Sequence, residues 1–460
     1  MVLMANGLNP VAESLMRWIQ LQADERRGDY ELARQYYGGE HDTALTDRLK
    51  KFLPPRLAFR DNFMNVVVDS LAERLKVIGF NSEDEDFAEW SWNLWQQNRM
   101  DYVQVVVHTE AVMLGDSYII CDWDPEAERP RWTHQMPEMI LPHYNETTRQ
   151  IDWVSKKWIS HPNIGDEPET RLNLYYPDRV EKYRAKGGIW SPYQDDMDEE
   201  WPVPWLDRTG APLGIPLIHF RNRPMGEDFG QSEIINVIPM QDLLNKTLID
   251  LTMILDTLAF PQRYTLNVAH NSSRLEIMPG SVAEFHSEYD GGQVGQWQAA
   301  SVEGPLKAIE SLVQHIAGTT RTPQHLFQIM GGMPSGEALK TAESGLVNKA
   351  QQRMVNFGNA WEDCLMMALR IQTAFGATVA DAEEVMLETT WDDPETRNEQ
   401  SHMEVLKGKA ELGVTKHQIY RELGYTQEQI DQMDMDSEAD RRAETNIGAE
   451  ILRNFNAGEI

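Results

Sequence analysis

The sequence holds few cysteines, few cations and no long apolar run, and each shortage excludes something. Cys121 and Cys364, the two cysteines of the 460-residue chain, lie 243 positions apart. That spacing matches no disulfide framework and no zinc site, so a reducing compartment is expected. The opening residues, Met1-Val2-Leu3-Met4-Ala5-Asn6-Gly7, lack the basic stretch and apolar core of a signal peptide. Nowhere do about 18 uncharged apolar residues follow one another, which removes a membrane-spanning helix, and a membrane partner, from the expectations. The 42 Lys and Arg are outnumbered by 73 Asp and Glu, a net charge of −31. That excludes a protein that grips nucleic acid by coating itself in cations, because phosphate affinity comes from cationic contacts.

What is present suffices to fold. Hydrophobic residues make up 41% and aromatic ones 9%, too much for a globally disordered acidic chain. At roughly 150 residues per domain, the length suits about three domains or one body with large insertions. The first 115 residues read as helical. Phe63, Val66, Val67, Leu71, Leu75 and Ile78 keep three- and four-residue spacing over 61–78, with Gly79 as the stop. Ser82 and Glu85 form a capping-box pattern for a helix bearing Phe87, Trp90 and Leu94. Another helix from Asp101 ends at Gly115.

From Ser117 to about residue 220 the signal is β. Tyr118 to Cys121 reads as a buried strand, followed by strands over 151–159, 171–176 and 180–184, with turns at 145–148 and 177–178. The acidic run 195–200 falls in a loop and reads as a solvated segment. Helix returns over 232–260, with Pro239 predicting a kink or restart. A turn-rich β module covers 262–301, and a helix follows from Glu303 to Gly318. A Gly/Pro/Met-rich loop, 321–336, precedes a long helix predicted over 337–375, close to 60 Å at ~1.5 Å per residue. From Pro394 the chain is charged and helical, with breaks at Gly413 and Gly424. The fold class expected is α+β, mostly helical.

The chemistry is mostly negative. Gly331-Gly332-Met333-Pro334-Ser335-Gly336 has the glycine spacing of a phosphate-binding loop. Glu337 and Ala338 then stand where lysine and a magnesium-binding hydroxyl are needed, so nucleotide binding is not expected. Asp434 to Glu438 hints at a calcium loop but lacks its glycine and its terminal glutamate. The twelve histidines include no HExxH pattern. No catalytic residue, metal site or cofactor is therefore expected. A competing reading uses the tryptophans: Trp90, Trp92 and Trp95, or Trp190, Trp201 and Trp205, could stack sugars beside carboxylates in an acidic intracellular glycoside hydrolase. Core packing is the commoner role for tryptophans on an amphipathic helix.

The order of elements, and several stretches, resemble the portal proteins of tailed double-stranded-DNA bacteriophages of the siphophage type. Those stretches are Val67-Val68-Asp69-Ser70-Leu71-Ala72-Glu73-Arg74-Leu75 with Gly79-Phe80, Gly115-Asp116-Ser117-Tyr118, and Phe229-Gly230-Gln231-Ser232-Glu233-Ile234 running to Gln241-Asp242 and Asn245. Pro261-Gln262-Arg263 and Pro334-Ser335-Gly336-Glu337-Ala338-Leu339 complete the set. The resemblance covers roughly residues 25 to 430. The ordered set carries it, since no single motif is as specific as a zinc signature.

The resemblance implies a portal fold of wing, stem, clip and crown around a central channel. It assigns 1–229 to the wing, with its β-rich region at 117–220, and 337–393 to the wing's long helix and return. Residues 230–260 and 302–320 become stem helices, 261–301 the clip, 321–336 a tunnel loop and 394–460 a helical crown. It implies a ring, usually of twelve copies, at one capsid vertex in the virion at the head–tail junction, made in host cytoplasm. Double-stranded DNA would pass through it in packaging and ejection. The partners implied are the terminase large subunit, which supplies the ATPase power, the head–tail adaptor, the major capsid protein and a scaffold. DNA-facing residues of the tunnel loop would be Gln324, His325, Gln328, Met330, Gly331, Gly332, Met333 and Ser335, with burial of Leu326, Phe327, Ile329 and Met330 as the competing reading. Arg263, Arg274, Glu284, Glu288 and Asp290 would belong to the clip's docking surface. Twelve copies carry about −372 charges, and a channel lined by enough of them lets DNA slide with few adhesive contacts.

Overall fold

The computed structural model describes residues 10–41, 60–161, 167–195, 200–226, 228–259, 263–266, 282–285, 293–296, 301–327, 336–379 and 386–395, with scattered positions between 407 and 435. The chain divides into two compact units, 1–394 and 395–460. In the second unit the described residues include the helix Lys416–Glu422.

The first unit is built around the long helix. The helix α1 (Pro10–Tyr37) runs to Gly38-Gly39, where Gly39 adopts a φ of +68°. The next helix, α2 (Met64–Ala72), buries Met64, Val67, Val68 and Leu71. It stops well short of the Ile78 expected from its spacing. Val77–Ser82 instead forms strand β1, which pairs antiparallel with a strand from the far end of the unit, Leu387–Trp391. The apolar spacing runs on past Ala72 because Leu75 and Val77 are buried too, in a turn and a strand rather than a helix. The following helix, α3 (Glu85–Gln97), is capped by Asp84, whose carboxylate accepts the Phe87 N–H, and not by Ser82. Ser82 Oγ donates to the Met386 carbonyl instead. The helix α4 (Met100–Leu114) ends at Gly115, whose φ of +100° suits glycine.

Strand β2 (Asp116–Asp124) lies between β3 (Arg129–Gln135) and β10 (Leu217–Arg221) in a three-stranded sheet. It is buried on both faces, which explains its unbroken apolar run. Ile119 and Cys121 face the main core, while Tyr118 and Ile120 face a second cluster with Ile140, Val154 and Tyr175. A six-stranded sheet follows: β4 (Ile140–Tyr144), β5 (Ile151–Ser160), β6 (Glu169–Tyr175), β7 (Arg179–Lys186), β8 (Ile189–Pro192), with β9 (Val203–Pro204) on β7. Its outer face takes Met16 and Ile19 of α1 against Leu141, Leu172, Leu174 and Tyr183. Asp195, at the start of the acidic run, is held by Lys182 at 3.0 Å; 196–199 lie outside the described residues.

Pro239 sits in the first turn of α5 (Ile238–Ala259), after a short 3-10 turn, so the expected break is a restart. The module after it is a small sheet of β11 (Arg263–Leu266), β12 (Val282–Phe285) and β13 (Gln293–Gln296), with β11 central and parallel to β12. The helix α6 (Glu303–Thr320) packs on α5. The long helix α7 (Gly336–Phe375) has 40 residues, about 60 Å, and leads to β14 (Leu387–Trp391).

The main core closes on α7. Trp361 meets Trp95 edge-to-face at 4.8 Å and Phe220 at 4.6 Å, and its indole N–H donates to His108 Nε2 at 3.0 Å. His108 Nδ1–H in turn donates to the Leu75 carbonyl at 2.8 Å. Burial holds this imidazole neutral, its pKa lowered to about 4. Cys121 and Cys364, remote in sequence, meet here as buried free thiols.

Candidate functional site at the junction of three helices

The roots of α5 and α6 converge on the middle of α7. Glu233, five residues before α5, is buried, and its carboxylate accepts Lys349 Nζ at 2.8 Å and Arg353 Nη2 at 2.7 Å. Lys349 also donates to the Thr320 carbonyl at the end of α6, at 2.7 Å. One ammonium thus ties both helix roots to α7. Arg353 Nε donates to Asn222 Oδ1 at 2.5 Å, and Asn222 Nδ2 donates to Glu233 at 3.1 Å. Burial alone would raise the Glu233 pKa; Lys349 and Arg353 outweigh it and hold the carboxyl at about 2.

A second hub lies below it. Asp116 is fully buried and accepts four hydrogen bonds: from Arg26 Nη2 at 2.6 Å, Tyr30 OH at 2.7 Å, His219 Nε2 at 2.8 Å and the Gly230 N–H at 2.7 Å. His219 Nδ1 then accepts the Tyr144 hydroxyl at 2.6 Å, which fixes a neutral tautomer. Burial pushes Asp116 up, and its donors, led by His219, more than reverse that. The backbone around it is packed to contact. A Cβ on Gly230 would sit 1.9 Å from the Gly115 carbonyl oxygen. Ser232 Oγ donates to Met113 O at 2.6 Å and the Glu233 N–H to Val112 O at 3.1 Å. The stretches 115–118 and 229–234, read above as family-like, are therefore the two halves of one clamp.

Polar residues of α5 hold the N-terminal layer. Gln241 accepts the Phe63 N–H at 3.1 Å and donates to Asp61 O at 2.7 Å; Asn245 accepts the Asp61 N–H at 3.0 Å. Asp242 accepts the Tyr36 hydroxyl at 2.6 Å. Amide-to-backbone contacts and one carboxylate–hydroxyl pair thus account for Gln241, Asp242 and Asn245 standing together.

The expected tunnel-loop residues divide. Gln324 is exposed on a short 3-10 turn, Gln324–Phe327. His325 Nε2 lies 3.3 Å from Glu343 of α7, which Arg74 of the N-terminal layer also meets at 3.1 Å. Leu326 is 38% exposed, whereas Phe327 is buried against Phe63 at 5.4 Å. Gln328, Ile329, Met330, Gly331, Gly332, Met333 and Ser335 lie outside the described residues. Of the clip set, Arg263 opens β11 opposite Val282, and Glu284 lies in β12 opposite Thr265. Arg274, Glu288 and Asp290 lie outside the described residues. The Glu233–Lys349–Arg353 junction was not among the expected sites. Its sequence signal was a pair of cations four residues apart beside the apolar positions Leu346, Ala350 and Met354 of α7.

The tryptophans are packing groups: Trp95 is fully buried between Phe80, Trp132 and Trp361, and Trp190 and Trp201 pack on the outer face of the six-stranded sheet. No helix among the described residues is long and apolar enough to cross a membrane.

Comparison with known proteins fixes the class. Residues 17–443 match the family described as phage portal protein, SPP1 Gp6-like, and the chain belongs to that family. It is 25% identical over 385 residues to the portal protein of Mycobacterium phage D29, covering 79% of this chain and 76% of that one. To the portal protein of Mycobacterium phage L5 it is 26% identical over 394 residues, covering 81% and 77%. Among solved structures it is similar to a chain in the neck of an empty gene transfer agent particle, computed with C6 symmetry, at 12% identity and a TM-score of 0.43, covering 82% of this chain and 91% of that one. A chain in the virion of a native gene transfer agent particle gives 12% identity and a TM-score of 0.41, with 76% and 85% covered. The glycoside hydrolase reading falls with the family match and the buried tryptophans.

Proposed function

We propose that copies of this chain form a ring, twelve at the family's usual number, at one vertex of a phage head, and that double-stranded DNA passes through its channel in packaging and ejection. The family match over residues 17–443 carries this reading. The role is that of a conduit and docking platform, without catalysis, in the virion at the head–tail junction. The terminase large subunit and later the head–tail adaptor are its partners on one side, and the major capsid protein and scaffold on the other.

Within the chain, α5 and α6 act as the stem and the sheet β11–β13 between them as the clip. Residues 321–336 act as the tunnel loop, and 394–460 as the crown. Two packed helices with a small β module between them, both rooted in α7 through Lys349, support that assignment. The net charge of −31 per copy suits a wall that DNA must pass without adhering. The experiment is to assemble heads in cells infected by the phage lacking this chain. Heads without packaged DNA are expected, with filling restored by supplying the chain in trans; DNA-filled heads in its absence would overturn the proposal.

A further inference from the structure

The junction described above carries more positive charge than it uses. Arg223 follows Asn222, which binds Arg353, and Arg321 follows Thr320, which binds Lys349. Arg321 Cβ lies 3.8 Å from the point where a side chain on Gly345 of α7 would begin, so Arg321 stands directly on that helix. Four cations therefore gather around one carboxylate, Glu233, in a chain whose net charge is strongly negative. Lys349 and Arg353 are satisfied by Glu233. Arg223 and Arg321 form no ion pair among the described residues, and Arg321 is exposed.

The complementary surface is on the same molecule. Glu83, Asp84, Glu85, Asp86 and Glu89 at the start of α3, with Glu388 of β14, are exposed and form no ion pair among the described residues. No Lys or Arg occurs between Val77 and Asn98. This acidic flank is attached to α7 through β14: Gly358 faces Trp391 and Thr389, and Glu362 accepts the Thr389 N–H at 2.9 Å. At 3.6 residues per turn, positions 345, 349 and 353 point about 160° away from positions 358 and 362. The basic and acidic surfaces thus lie on nearly opposite sides of one rigid helix. A closed ring needs that arrangement, because each copy presents one surface to the neighbour on its left and a different one to the neighbour on its right.

We propose that Arg223 and Arg321 are docking residues for a second copy of this chain, receiving the carboxylates of its α3 flank. The proposal rests on the ring reading above and adds which surfaces meet. Charge pairing of this kind selects the register of neighbours and weakens with salt.

The test is light scattering of the purified full-length chain over a range of protein and salt concentrations. Circular dichroism checks that each variant folds, and the milder Arg321→Gln is expected to act in the same direction. Arg223→Glu with Arg321→Glu should raise the protein concentration needed for ring formation about ten-fold or more. Glu83→Lys with Asp86→Lys should do the same. All four substitutions in one chain should assemble at a lower concentration than either parent, since the two exchanged pairs are then opposite in charge again. A wild-type ring with unaffected variants, or a combined variant no better than its parents, overturns the proposal alone. A wild-type chain that stays monomeric overturns the ring reading and this pairing with it. If the arginine variant forms normal rings but retains less of a short DNA duplex, the site holds phosphate and the proposal is likewise overturned.

Discussion

Replacing Lys349 by methionine tests whether one ammonium holds the two helix roots together. Methionine keeps the length and apolar stem of the side chain and removes its three donors. Lys349 is 5% exposed, so water does not replace what is lost. Glu233 Oε2 loses its partner at 2.8 Å and the Thr320 carbonyl its donor at 2.7 Å, while Arg353 remains on Glu233 Oε1. Breaking a buried pair costs about 3–5 kcal/mol when the remaining charge is left alone. Here it is not alone, and removing Lys349 also relieves repulsion from Arg353, so the expected loss is near the low end, about 3 kcal/mol. Glu233→Gln should cost more, about 5 kcal/mol, because it strands both cations. The double variant should cost less than the sum, with a coupling of about 2–3 kcal/mol.

Urea unfolding of the dispersed chain reads these values from the shift in midpoint at unchanged slope. A pH series adds an independent check. The Glu233 pKa falls from 4.5 to about 2 on folding, so its contribution is present above pH 4.5 and is lost as pH drops toward 2. At about 1.4 kcal/mol per pH unit that contribution is about 3 kcal/mol, and it should vanish from the acid limb in Glu233→Gln. A Lys349→Met chain within about 0.5 kcal/mol of wild type, or one less stable than Glu233→Gln, refutes the reasoning.

Three further outcomes follow from other parts of the fold. Gly230→Ala places a carbon 1.9 Å from a backbone oxygen that cannot move aside, so the clamp must open; a melting temperature unchanged from wild type would contradict it. His108 is neutral when folded, with a pKa near 4 against 6.5 unfolded, so its share of stability is full above pH 6.5 and is lost as pH falls toward 4. His108→Gln should lower stability at pH 7.5 yet flatten the dependence between 6.5 and 4, a window above that of Glu233; an unflattened profile would refute the assignment. Deleting residues 328–334, which spares the buried Phe327, should leave the fold and ring intact and block DNA packaging, and normal packaging would sink the tunnel-loop assignment.

Local patterns were legible in the sequence where local forces decide the outcome. The strands over 151–159, 171–176 and 180–184 fall within β5, β6 and β7, give or take a residue at the ends, because alternation and turn residues specify a meander. The helix ending at Gly115, the restart at Pro239 and the length of α7 were equally readable. What failed depended on distant partners. The chain at Val77–Ser82 becomes a strand because Leu387–Trp391, some 300 residues on, offers it an edge. Asp84 displaces Ser82 as the cap because Ser82 is engaged by Met386 of that same partner segment.

The buried hubs were hidden for the same reason. Asp116 draws its donors from residues 26, 30, 219 and 230, and Glu233 from 349 and 353, none of them within a readable window. The family-like stretches at 115–118 and 229–234 were visible as motifs, but their physical reason, a backbone clamp with no room for a Cβ, needed the fold.

Images of the purified, assembled protein show whether the chain is one sector of a conduit. Closed rings are expected, with a central hole at least as wide as a DNA duplex, about 20 Å, and a mass near 635 kDa for twelve 52.9-kDa copies. Compact particles of one or two copies, or rings without an open centre, would contradict it.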